Sequence, residues 1–266
     1  MKTKFLILII VMVLASIILF FRTTNSNVSD GDLSWEKVQK KGSLIIGLDD
    51  TFAPMGFRDK EGQIIGFDID LAKEVAKRLN LELIFQSCIW NSIFMELNGN
   101  KIDLIWNGVS MSDGREQQAL FSRPYAVNRM VIVIAEKSLH RIKSRSDLND
   151  KKVAVQSGSP AFDYVKRYQI KELVQYPDNY TALLDLQYGG VDVVVLDEIV
   201  ADYYITQRRA KLVKLRDSFT KERYGIAFRK SDRALRDKIQ EILDAMEQDG
   251  TVVKISEKWF GKNMPN

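Results

Sequence analysis

Short apolar runs alternate with longer amphipathic segments along this chain, and that alternation leaves few architectures open. Leu44–Leu48, Leu83–Phe85, Asp103–Trp106, Arg129–Ala135, Val153–Val155, Val191–Leu196 and Tyr224–Phe228 read as strands. Asp68–Leu79 carries apolar residues at helical spacing, with Asp68 or Asp70 available as a cap. Ser92–Leu97, Ala161–Tyr168, Tyr180–Leu186, Glu198–Gln207, Arg233–Gln248 and Thr251–Phe260 read as further helices. A strand–helix rhythm of this kind predicts an α/β protein with mostly parallel sheets. There is no internal repeat.

Ligands of α/β folds bind beyond the carboxyl ends of the strands, where helix N-termini also point. Four of the apolar runs end in small, hydroxylic or charged residues: Asp49–Pro54, Asn107–Arg115, Gln156–Pro160 and Asp197-Glu198. The second is the richest. Gly108, Ser110 and Ser112 put backbone N–H groups and hydroxyls near a strand end, and Arg115 offers a planar fork of donors that suits a carboxylate. Asp197 supplies a counter-charge, and Phe52 and Trp90 are aromatic residues able to flank a ligand. A carboxylate and an ammonium on neighbouring atoms would satisfy both charges, and an α-amino acid is the simplest such ligand.

The inventory excludes several chemistries. Cys88 is the only cysteine, which rules out an intramolecular disulfide and a cysteine-based zinc site. His140 is the only histidine and sits in a basic, loop-like stretch, so a Ser-His-Asp or Cys-His centre is not expected. No metal or other cofactor is expected. The net charge is +4, of which Lys2, Lys4 and Arg22 against Asp30 account for +2, so residues 31–266 carry +2. That balance is too mild for a nucleic-acid partner.

Met-Lys-Thr-Lys leads into Phe5–Phe21, apolar throughout except Ser16. A secretory apolar core runs to about 15 residues and a membrane-spanning helix starts at about 17, so the segment lies at the border. No clear small-x-small cleavage site follows, which favours an uncleaved anchor in residues 1–22 over a cleaved signal peptide. No cysteine follows either, which excludes a lipid anchor there. Both readings place the globular part outside the cytoplasmic membrane, with residues 23–32 as a tether.

From Leu44 to Phe260 the chain resembles the extracytoplasmic solute-binding proteins of polar amino-acid ABC transporters, family 3. The resemblance rests on segments 47–57, 66–76, 101–108, 121–125, 155–159, 191–198 and 255–261, in that order and spacing. It implies two α/β lobes joined by two strand-like hinges, with a cleft between the lobes. The hinges fall near Tyr125–Asn128 and Phe219–Tyr224, the first lobe at 33–125 plus 224–262, and the second at 129–219.

The resemblance also implies roles. Arg115 pairs with the ligand α-carboxylate, with Ser110 adding its N–H and hydroxyl. Gly108 turns its carbonyl to the ammonium, which Asp197 receives from across the cleft. Phe52 and Trp90 sandwich the side chain, Asp49 and Gln156 read it, and Asn107 adds to the wall. One departure concerns Pro160, which stands where relatives use an N–H toward the carboxylate. Either Ser159 supplies that contact, or the carboxylate has one donor fewer. The implied ligand is a polar L-amino acid, with glutamine, a basic residue and cystine all compatible, and the implied partner is an ABC permease. The protein itself is expected to be a monomer and not an enzyme. An extracytoplasmic dehydratase on the same fold is one alternative, drawing its acid or base from Asp49, Asp197 or Glu198. A ligand sensor is the other, although Met1–Lys4 is too short to carry a signalling domain.

Overall fold

The computed structural model describes residues 31–207 and 211–261. The apolar segment Phe5–Phe21 and the tether up to residue 30, with the anchor and signal expectations attached to them, lie outside the described residues. Within these residues no helix is long and apolar enough to cross a membrane.

The described residues begin with helix α1 (Ser34–Lys41), then strands β1 (Ser43–Leu48), β2 (Thr51–Phe52), β3 (Gly56–Arg58) and β4 (Ile64–Ile65). Helix α2 (Phe67–Leu79), β5 (Glu82–Ser87), a single 3-10 turn at Trp90–Ser92, α3 (Ile93–Asn98), β6 (Leu104–Ser110), α4 (Asp113–Gln118) and β7 (Leu120–Phe121) follow. Next come β8 (Ala126–Ala135), β9 (Lys152–Gln156), α5 (Pro160–Val165), β10 (Glu172–Tyr176), α6 (Asn179–Tyr188), β11 (Val193–Asp197) and α7 (Glu198–Gln207). The described residues close with β12 (Leu212–Phe228), α8 (Arg233–Gln248) and α9 (Thr251–Phe260).

One sheet runs through the molecule in the order β10-β9-β11-β8-β12-β6-β1-β5, with β7 also on β12, while β2, β3 and β4 form a small antiparallel sheet of their own. At one end β1 lies parallel to β5 and β6, and at the other β9 lies parallel to β10 and β11. The middle is antiparallel. The ladder between β8 and β12 runs from Leu212 opposite Ala135 to Tyr224 opposite Ala126, and β12 then continues antiparallel to β6. This corrects the expectation of mostly parallel sheets. Of β12 only Tyr224–Phe228 is apolar enough to read as a strand. Its first twelve residues include Lys214, Arg216, Asp217, Lys221, Glu222 and Arg223, and those charges concealed an extended segment that spans both halves of the sheet.

The two parallel ends form two lobes, and β8 and β12 are the only described strands that link them. One apolar cluster runs through both lobes, from Leu44, Phe67 and Val75 to Val133, Ala154 and Val194, and each lobe adds a smaller cluster of its own. Ile93, Leu97, Ile102, Ile105 and Val109 pack around α3 in the first, and Met130, Ile132, Val153, Val155, Val193 and Val195 pack with Ala161 and Val165 of α5 in the second. Fully buried on both faces, β11 reads as a continuous aliphatic run, and the Leu104–Trp106 start of β6 as an apolar one, which makes both legible in the sequence.

The start of α2 departs from expectation. Gly66 precedes it at φ 146°, and neither Asp68 nor Asp70 caps it by side chain. A Cβ at Gly66 would lie 2.2 Å from the Met55 carbonyl oxygen, so only glycine fits this approach. Asp68 instead turns inward and is fully buried. It accepts from the Gly108 N–H at 2.7 Å and the Tyr125 hydroxyl at 3.0 Å. Asp70 accepts from Lys258 at 2.6 Å and from the Trp259 indole at 2.8 Å, tying α2 to α9.

Candidate functional site

The cleft is built where β6 breaks register with β12. Gly225 pairs with Val109 but Ala227 pairs with Ile105, so β6 carries two extra residues there. Such a bulge re-aims the residues it releases. Asn107 turns back and accepts from the Asp49 N–H at 3.0 Å. Gly108 adopts φ 57°, and its N–H goes to Asp68 rather than to the ladder. A Cβ on Gly108 would lie 2.8 Å from the Phe52 ring and 3.1 Å from the Tyr224 ring, so the missing side chain is what lets Phe52 lie against the strand.

Phe52 on β2 faces Trp90 with ring centroids 6.5 Å apart and planes within 1° of parallel. The Arg115 guanidinium, on α4, stands 5.5 Å from the Trp90 centroid and 5.9 Å from that of Phe94, within range of cation–π attraction. Arg115 donates to the Ser110 carbonyl at 3.1 Å and, across the cleft, to the Gly158 carbonyl at 3.0 Å. These bonds use two of its five N–H donors.

The second lobe contributes Gln156, Ser159 and Asp197. Gln156 ends β9 and is buried. Its amide donates to Asp49 at 2.7 Å, and its carbonyl accepts from Asn179 at 3.1 Å. Ser159 precedes α5, where Pro160 takes the first helical position, and the Ser159 hydroxyl is buried without a hydrogen-bond partner. Asp197 ends β11 and is 5% exposed. It accepts from the Tyr224 hydroxyl at 2.5 Å and from Asn128 at 2.7 Å. Both bonds land on Oδ1, which leaves Oδ2 for a third donor. Burial, reinforced by the Glu222 carboxylate, pushes Asp197 up to about 7. Asp49 is also raised, chiefly by burial, with the Thr51 and Gln156 hydrogen bonds opposing.

All ten residues singled out from the sequence therefore gather in one place: Asp49, Phe52, Trp90, Asn107, Gly108, Ser110 and Arg115 from the first lobe, Gln156, Ser159 and Asp197 from the second. A cavity of about 810 Å³ opens beside them, lined by Trp90, Arg115, Ser159, Tyr164 and Glu222 among others.

The profile of the bacterial extracellular solute-binding proteins, family 3, matches residues 44–262. The chain belongs to that family. It is 32% identical over 243 residues to the L-cystine-binding protein TcyA of Bacillus subtilis, covering 91% of this chain and 89% of the relative. Among solved structures, an ABC uptake transporter substrate-binding protein from Streptococcus pneumoniae with bound histidine is 33% identical. It superposes with a TM-score of 0.84 over 90% of this chain and all of that one. An ancestral arginine-binding protein bound to glutamine is 38% identical, with a TM-score of 0.79 over 83% of this chain and 99% of that one.

Several cleft residues of this family member were not legible beforehand. Asn128 and Tyr224 hold Asp197 from the two linking strands. Gly158 accepts from Arg115. Glu222 accepts from Ser110 at 2.5 Å and from Tyr164 at 3.0 Å. A carboxylate between Lys221 and Arg223 reads as part of a solvated charge run, and only the alternation of the extended β12 turns it inward.

Proposed function

We propose that the protein captures an L-amino acid with a cationic side chain outside the cytoplasmic membrane and hands it to an ABC transporter permease, without chemistry. The observation that carries this reading is the bond that Arg115 of one lobe sends across the cleft to the Gly158 carbonyl of the other, the lobe in which Asp197 is buried with Oδ2 left for a further donor. A zwitterion laid between them satisfies both charges only when the lobes meet, so binding favours the closed form by differential contact. The ligand carboxylate goes to Arg115, Ser110 and the unpartnered Ser159 hydroxyl, and the ammonium to Asp197 and the Gly108 carbonyl. The side chain runs between Phe52 and Trp90 to Asp49, Gln156 and Asn107. The first lobe spans 33–125 and 224–262 and the second 129–219, with the protein acting as a monomer tethered by residues 1–22.

Charge supports a basic ligand over a neutral one. Asp49 and Asp197 are buried in the cleft, and the hydrogen-bond partners of Asp49 are neutral, Thr51 and Gln156. Burying unpaired charge is costly, so a third positive group in the cleft relieves what a neutral side chain leaves. Names of relatives give contrasting ligands: cystine for TcyA, and histidine bound to the pneumococcal protein. A transport role without catalysis is supported by the acids that a dehydratase would draw on. Asp49 accepts from Thr51 and Gln156, Asp197 from Asn128 and Tyr224, and Glu198 pairs with Arg129 and Lys214 outside the constellation.

The test is a thermal-shift and calorimetric screen over the amino acids, with arginine, lysine, histidine, glutamine and cystine as decisive members. A ligand at a hundred times its Kd stabilises by about 2.7 kcal/mol. Arginine or lysine should give the largest shift. A larger shift with glutamine or cystine overturns the basic reading, and turnover of a small carboxylic acid overturns the non-enzymatic one.

A further inference from the structure

Glu222 stands at the carboxylate end of the cleft, where a second carboxylate is the least expected group. It lies on β12 between the lobes, 8% exposed. Its two oxygens are shared out: Oε2 accepts the Ser110 hydroxyl at 2.5 Å from β6, and Oε1 accepts the Tyr164 hydroxyl at 3.0 Å from α5. It therefore links a first-lobe strand to a second-lobe helix through the very serine assigned to the ligand carboxylate.

Hydrogen counting makes this a conflict. A serine hydroxyl has one hydrogen to give. Given to Glu222, that hydrogen is not available to the ligand, and the ligand carboxylate meets a serine lone pair and a neighbouring anion. The conflict resolves in one step if Glu222 is protonated. The Oε2–H then donates to Ser110 Oγ, and the serine hydrogen swings to the ligand carboxylate. The proton comes from solvent, one O–H bond forms on Glu222, and no other covalent bond changes. Resting on the amino-acid reading above, we propose that Glu222 is a positioning residue that frees the Ser110 hydroxyl for the ligand carboxylate by taking up a proton on binding.

The surroundings fit. The charged and titratable groups facing Glu222 are Arg115 from α4, Asp197 from β11, Tyr164 from α5 and Tyr224 from β12. Lys221, Arg223, Asp163 and Arg167 line the adjoining cavity, Lys221 and Arg223 being exposed. Burial raises Glu222 toward neutrality, with the Ser110 and Tyr164 bonds and the Arg115 charge holding it down. A ligand carboxylate placed beside Arg115 takes up that guanidinium and pushes Glu222 further up. Asp197 works in the opposite sense, since an ammonium placed against it drives its proton off.

The experiment is calorimetric titration of the full chain with L-arginine, L-histidine and L-cystine in buffers of differing ionisation enthalpy, for wild type and Glu222→Gln. Glutamine is isosteric, and its amide donates to Ser110 at every pH. Wild type should take up about one proton more per ligand than the variant near neutral pH, and its affinity relative to the variant should rise by up to about tenfold per unit fall in pH. Isotope-edited infrared spectroscopy with labelled glutamate, on wild type alone, should show a carboxylic-acid band gained when ligand is added. This separates Glu222 from Asp197 and needs no variant to fold. Equal proton counts with parallel pH profiles, or binding with no glutamate band gained, overturn the proposal while leaving the amino-acid reading in place. No heat with any amino acid overturns that reading and this inference with it.

Discussion

Gln156 donates an amide hydrogen to Asp49 at 2.7 Å, joining the end of β9 in one lobe to the end of β1 in the other. Its carbonyl is fixed by Asn179 and the other Asp49 oxygen by Thr51, so the carboxylate is held in place rather than left to search. On the proposed reading Asp49 meets the ligand side chain, with its carboxylate buried and Gln156 as its partner across the cleft. Asp49→Asn keeps the size and loses the charge. The expected outcome is a loss of roughly 10- to 100-fold in affinity for arginine, from one charge-assisted bond of about 1.5–3 kcal/mol, with little change for glutamine. Competitive calorimetry with the two ligands measures the split, and equal losses for both would remove Asp49 from side-chain recognition.

On the proposed reading Arg115 and Asp197 carry the zwitterion, and their removal should act differently from that of Asp49. Arg115→Ala and Asp197→Ala each leave the opposite charge of the ligand unpaired in a buried cleft, which costs at least about 2–5 kcal/mol. Binding of every amino acid should fall below detection while the thermal transition of the ligand-free protein persists. Arg115→Lys should rescue poorly, because a point charge cannot reach the Ser110 and Gly158 carbonyls and a carboxylate together as the planar fork does. Retained heat of binding in either alanine variant would sink the assignment.

Much of the site is legible in the sequence because it lies at or just after strand ends, where an abrupt switch from aliphatic to polar residues marks the opening of a cleft. Asn107, Gly108 and Ser110 follow the apolar start of β6, and Asp197 closes the valines of β11. What stayed hidden depended on long-range pairing. Asn128 and Tyr224 come from strands 96 residues apart in sequence that meet only through the β8–β12 ladder. Glu222 stands between Lys221 and Arg223 in a half of β12 that alternates rather than running apolar, so no apolar run marks it as inward. Asp68 looked like a cap because an acid at a helix start usually is one. Its burial follows from the two-residue bulge in β6, which frees the Gly108 N–H to reach it, and nothing local encodes that bulge.

Asp68 makes stability depend on pH. Burial pushes it from the ordinary 3.8 to about 7, against the hydrogen bonds from Gly108 and Tyr125. The folded state then binds the proton more tightly than the unfolded chain does. Its contribution is fully present below about pH 4 and is lost as pH rises through about 7, a change of at most on the order of 4 kcal/mol. Asp197 has the same sign. Asp49 and Glu222, also raised by burial, share that sign, and Asp68→Asn keeps an acceptor for Gly108 while removing one of these four titrations. Urea midpoints measured across that range should fall more steeply for wild type than for the variant, with the variant gaining relative to wild type above about pH 7. Curves that run parallel would show that Asp68 does not titrate there.

Gly158 separates closure from recognition. It lies in the loop after β9 at φ 76°, a left-handed backbone that disfavours any side chain. A Cβ there would come 2.9 Å from the Asn91 Cα in the opposite lobe and 3.1 Å from the Asn91 Oδ1. The first is backbone and cannot swing aside, so Gly158→Ala obstructs the approach of the two lobes and the Arg115 bond to the Gly158 carbonyl. The residues proposed for the ligand keep their identities, and of them Arg115 alone loses a contact. The expected result is a uniform loss of affinity for arginine, histidine and glutamine, of roughly 1–3 kcal/mol from strain and the displaced contact. Selectivity among the three should be preserved. Small-angle scattering should show the ligand-bound variant more open than ligand-bound wild type. A change in the order of ligand preference, or a variant that closes to the same radius of gyration, would mean that Gly158 serves the pocket wall and not the meeting of the lobes.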